Sequence, residues 1–140
     1  MKAIYLTITA LLIFTSAHSQ ETSKNDSTVA ALKTYLVKYI RPSPIMMEKH
    51  IQGRSVIAFK IGADKKITGI HFLKPLTNEY DDEVARVLKL YPQDLLLPPA
   101  EYSISVQFLI ENRKYKSAPF DKSVYQNFLF DLDIVSNFPY

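Results

Sequence analysis

The stretch Gln52-Gly53-Arg54-Ser55-Val56-Ile57-Ala58-Phe59-Lys60-Ile61, followed by Gly62-Ala63-Asp64 and a second apolar run opening at Ile67, decides the fold. Successive side chains of a strand leave opposite faces. Ser55, Ile57, Phe59 and Ile61 therefore share one face, and Arg54, Val56, Ala58 and Lys60 share the other. One face is apolar and one mixed, the pattern of an antiparallel sheet covered by helices on one side. The turn residues predict a hairpin whose return strand, Ile67 to Leu73, sets Thr68, Ile70 and Phe72 opposite Ile67, Gly69, His71 and Leu73.

Working outward, Val29, Leu32, Leu36, Tyr39 and Ile40 recur at three- and four-residue steps, which predicts an amphipathic helix capped by Asp26 or Ser27 and stopped by Pro42 and Pro44. A short helical turn is expected through Met46, Met47 and Glu48, the two methionines filling gaps in the core. On the other side, Tyr80, Val84, Val87, Leu88 and Tyr91 form one stripe, with Asp82, Glu83, Arg86 and Lys89 facing away and Asn78 as the cap. Glu79, Asp81, Asp82 and Glu83 crowd its first turn, where the helix dipole stabilises carboxylates, so they need no catalytic explanation. Pro92 ends this helix and Leu95-Leu96-Leu97-Pro98-Pro99 is a stiff apolar crossing. Tyr102, Ile104, Val106, Phe108 and Ile110 then alternate with Ser103, Ser105, Gln107 and Leu109 in a third strand. The expected fold is α+β and two-layered, a small antiparallel sheet of about three strands packed on two helices.

Lys2 and the apolar run Ala3 to Phe14, followed by Ala17-His18-Ser19, read as a secretory signal over residues 1–19. An uncleaved membrane anchor is the alternative, although the run is shorter than the roughly 20 residues of a spanning helix. Without cysteine there is no lipoprotein anchor. Residues 20–27 are polar and expected to be flexible, and residues 28–140 are expected to form one domain. From about residue 117 it carries an aromatic-rich extension with Tyr125, Phe128, Leu129, Phe130, Leu132, Ile134 and Phe138. So apolar a tail must pack across the sheet or pair with its edge.

A net charge of +3, or +2 once Lys2 is lost, is too weak for a nucleic-acid surface. Asn112-Arg113-Lys114-Tyr115-Lys116 reads as a solvated turn. The absence of cysteine excludes disulfides and a thiol nucleophile. Only His50 and His71 lie outside the signal, no nucleophile elbow or metal-ligand spacing is present, and His71 reads as a packed or edge histidine. No enzyme, metal or cofactor is expected.

In order, these elements resemble the C-terminal domain of TonB-family proteins in the form common in Bacteroidetes-like bacteria. The resemblance rests on Tyr35-Leu36-Val37-Lys38-Tyr39-Ile40, on Ile51-Gln52-Gly53-Arg54 leading into Val56, Phe59 and Ile61, and on Asp64. It continues through Asp81-Asp82-Glu83, Arg86-Val87-Leu88-Lys89, Pro92 and Ile104-Ser105-Val106-Gln107-Phe108. The chain departs from the family at Arg41-Pro42-Ser43-Pro44 in place of Tyr-Pro, at Asp64-Lys65 in place of Asp-Gly, and in lacking tryptophan.

The resemblance implies a periplasmic, non-enzymatic domain whose last strand captures an extended peptide, such as a segment of a TonB-dependent outer-membrane transporter, by strand addition. On that basis Ser103, Ser105, Gln107 and Leu109 are the peptide-binding candidates, with an ordinary solvent face as the alternative. A membrane-anchored energy transducer, an exported inhibitor or accessory subunit, and a homodimer remain as further alternatives.

Overall fold

A computed structural model describes residues 23–137, so the signal expected over residues 1–19 and Phe138 lie outside the described residues. Helix α1 runs through residues 23–39 and already includes Asp26 and Ser27, the expected caps. Its first turns are held by the chain that follows the third helix: Thr28 is buried, and its hydroxyl accepts a hydrogen bond from the Leu96 N–H at 3.3 Å. Helix α2, Pro44–Glu48, starts on Ser43, with Pro44 in the first turn where its missing N–H costs nothing. Helix α3, Asn78–Lys89, is capped by Thr77 rather than Asn78. Thr77 holds the extended backbone that a cap requires, and its hydroxyl accepts from the Tyr80 N–H at 3.3 Å.

Four strands form one sheet in the order β2-β1-β3-β4: β1 is Gly53–Ile61, β2 Ile67–Lys74, β3 Ala100–Ile110 and β4 Phe128–Ser136. β1 is antiparallel to both of its neighbours, whereas β4 is parallel to β3. The α+β, two-layer architecture is therefore as expected, with a fourth strand beyond the expected count and the turn expected at Met46 to Glu48 present as the short helix α2. A parallel partner needs a crossover, because the chain leaves β3 at its end and must return to its beginning. Residues 111–127 make that return. Within them, Phe120 lies with its ring 4.3 Å from the Arg54 guanidinium, so the crossover passes over the sheet face turned away from the helices.

The core lies between the helices and the other face. Ile57 and Phe59 of β1, Ile104, Val106 and Phe108 of β3, and Phe130, Leu132 and Ile134 of β4 meet Leu32 and Leu36 of α1, Met46 of α2, and Tyr80, Val84 and Leu88 of α3. Leu95 and Leu97 of the apolar crossing are buried there too, while Leu96 points outward. α3 is fixed to β1 through Asp81, which accepts hydrogen bonds from the Ser55 hydroxyl and from the Leu76 N–H at 3.0 Å.

Strand β2 differs from its expected alternation. Ile67, Ile70 and Phe72 all pack against the core, while Thr68 pairs with Lys60 and His71 with Ala58 on the opposite face. The cause is a bulge between Ala58 and Lys60, where Gly69 takes φ +58°, and the extra residue resets the two-residue period. At the hairpin turn, Lys65 takes φ 62° at the position where Asp-Gly would place glycine. Its N–H donates to the Gly62 carbonyl at 3.1 Å, and its ammonium donates to the Leu97 carbonyl at 2.9 Å. The tertiary contact offsets the cost of the left-handed backbone.

Candidate functional site

The strand carrying Ser103, Ser105, Gln107 and Leu109 is not an edge. β3 is paired along its length with β1 on one side and with β4 on the other, with Ser103, Ser105, Gln107 and Leu109 in register with Phe128, Asp131, Asp133 and Val135. Ser103, Ser105 and Gln107 are buried and Leu109 is half-buried. The edge implied for these residues is thus occupied by the chain's own C-terminal strand. Of the two outcomes expected for the aromatic extension, residues 128–136 adopt edge pairing.

Three of the four candidates take part in contacts that tie the tail to the sheet. The Ser103 hydroxyl donates to the Gln126 carbonyl at 3.0 Å, and the Asn127 side-chain amide donates to the Glu101 carbonyl at 2.8 Å. Arg54, on β1, reaches across β3: its guanidinium donates to the Ser105 hydroxyl at 2.7 Å, to the Gln107 side-chain oxygen, and to Asp131 on β4. Only 12% of the Arg54 side chain is exposed, which makes the bridge a fixed element rather than a loose surface pair. Burial pushes the Asp131 carboxyl upward, but hydrogen bonds from Arg54 and Ser105 outweigh it and leave the pKa below the ordinary range. Phe120, Tyr125 and Phe128 cluster beside this bridge, with ring centroids 5.6 to 6.4 Å apart, and border an open groove with Arg54, Lys122 and Asp131.

Sequence reasoning placed Arg54 on the mixed face and missed its partners. The signal for them was the alternation Phe130-Asp131-Leu132-Asp133-Ile134, which marks a half-buried strand.

The two outer strands leave backbone groups unpaired on one side. β2 is interrupted by two register shifts against β1, and its His71 is exposed beside Glu101, Nε2 to Oε1 3.9 Å. β4 has nine residues and a single shift, at its start. Its outer side borders a small groove formed with Val37, Ile40, Arg41 and Pro42 at the end of α1. Among the described residues, no three His, Asp or Glu side chains converge as a metal site, and no helix is long and apolar enough to cross a membrane. The arrangement offers hydrogen-bonding backbone and shaped side-chain contacts.

No family model and no curated protein matches this chain. Among solved structures, the C-terminal domain of TonB from Helicobacter pylori, determined by NMR in solution, matches with 19% identity and a TM-score of 0.47, covering 57% of this chain and 90% of that domain.

Proposed function

We propose that this protein is an exported, periplasmic, non-enzymatic TonB-like domain of the Bacteroidetes type. It binds an extended segment of a protein partner, such as a TonB-dependent outer-membrane transporter, by strand addition on the β3–β4 side of the sheet. The observation that carries the reading is β4 itself. The β3 edge already holds the chain's own β4 in parallel register, reached through a long exposed crossover, and this supports the reading that extended backbone is taken up on this side of the sheet. Ser103, Ser105, Gln107 and Leu109 contribute indirectly, as the strand against which β4 itself is aligned. The sequence resemblance described above favours the same side.

The test uses the full chain, tagged and exposed to an envelope extract, followed by protease trimming and mass spectrometry of what stays bound. The expected product is a short segment from the periplasmic part of an outer-membrane transporter. Recovery of an intact soluble protein would favour the inhibitor or accessory-subunit reading, and recovery of nothing would overturn the proposal.

A further inference from the structure

β4 presents two differently charged flanks to anything that pairs with its outer side. On the face away from the helices stand Asp131 and Asp133; Asp131 is committed to Arg54, whereas Asp133 is exposed and has no ion pair among the described residues. On the helix side stand Lys33, whose ammonium lies 5.8 Å from the Phe130 ring, then the half-exposed Val37, then Arg41. An added strand sends alternate side chains to these two flanks. Side chains on the open face meet the Asp133 carboxylate, and those on the helix side meet a groove lined by Val37, Ile40 and Pro42, with Arg41 beside them and Asp133 at its border with the open face.

From this we infer that the outer edge of β4 receives an extended partner segment of alternating character, basic at positions facing Asp133 and apolar at positions facing Val37. The inference rests on the strand-addition reading above and adds the edge used and the chemistry of the occupant. Backbone pairing supplies affinity without selectivity, and the two flanks supply the selection. The same charges act against a second copy of this chain. In an antiparallel pairing of two β4 edges centred on Leu132, Asp131 of each copy faces Asp133 of the other, and like charges directly opposite one another are destabilising. β2 is the poorer receiver, because its register shifts interrupt the continuous ladder that an added strand needs.

The test mixes the full chain with synthetic peptides alternating valine with lysine, and with matched peptides alternating valine with glutamate. Binding is read by fluorescence anisotropy, and the pairing site by amide NMR and hydrogen exchange. The lysine peptide is expected to bind more tightly, to perturb β4 amides, and to leave the β3–β4 bonds protected. Asp133→Asn should narrow the preference by about fivefold, and Asp133→Lys should invert it; Asp133 is exposed, so the fold is retained in both variants. Loss of β3–β4 protection on binding would mean that the peptide replaces β4, which overturns this inference while leaving strand addition in place. Equal binding of the two peptides, a preference untouched by Asp133→Lys, or no binding of either would also overturn it, whatever the envelope capture returns.

Discussion

Strand β2 enters the sheet through a tight hairpin and is broken by two register shifts, whereas β4 arrives after a long crossover and pairs almost without interruption. Local turn chemistry fixes β2. β4 depends on long-range contacts: apolar residues on the helix face and Arg54 on the other. An edge made of bulges resists further pairing, while a regular edge permits it. The difference separates a strand that closes the sheet from one that extends it.

Removing the apolar anchor of β4 should break this contrast most strongly. Leu132 is 3% exposed between Phe130 and Ile134 on the core side. Leu132→Ala is expected to lower stability by about 3 kcal/mol in urea unfolding. Next, Arg54→Ala removes the cross-sheet bridge and its contact with Phe120, taking the guanidinium donor from Gln107 and the cationic partner from Asp131. A loss of about 2 kcal/mol is expected, with amide protection falling in β4 before β2. The opposite edge is probed by Gly69→Ala, which forces a side chain into a left-handed position 3.3 Å from Lys60 Cδ. About 1 kcal/mol should be lost, with exchange rising in β2 and unchanged in β4.

Acid should separate the two regions more gently. The pKa of Asp131 is depressed in the fold, so its stabilising contribution is complete above the unfolded value near 4 and is lost as pH falls toward the folded one. Asp81, at the joint between α3 and β1, behaves oppositely. Burial raises its pKa against the hydrogen bonds from Ser55 and Leu76, so stability rises as pH falls from its folded pKa to its unfolded one. Hydrogen exchange followed from neutral pH to below 4 should show β4 loosening while the joint at Asp81 holds.

The parts legible in the sequence are those specified by short-range periodicity. Ser55, Ile57, Phe59 and Ile61 share the core-facing side of β1, and the stripe of Tyr80, Val84, Val87 and Leu88 on α3 is buried. The second strand was legible as a strand but not in its facing, because the glycine-centred bulge reverses the side chains that follow it until a second register shift resets them before Lys74. For β4 the alternation was visible, but its partner and direction were not: parallel pairing depends on where residues 111–127 lead the chain. The Arg54 bridge lay further out of reach, since its partners Ser105, Gln107 and Asp131 are 51, 53 and 77 residues away and meet only when three strands align. Ser103, Ser105, Gln107 and Leu109 were correctly placed on the face opposite the core residues of β3, and the occupant of their edge had to be seen in the fold.

Under the proposed strand addition a partner pairs on the β4 side of the sheet and not on the β2 side. The most direct measurement places a photo-crosslinking residue at Val135 in one variant and at Leu73 in another, both exposed positions on outer strands, and compares their adducts in intact cells. Adducts from Val135 to an extended partner segment, with none from Leu73, are the predicted result. Adducts from Leu73 alone, or from both positions equally, would rule out selective addition at β4.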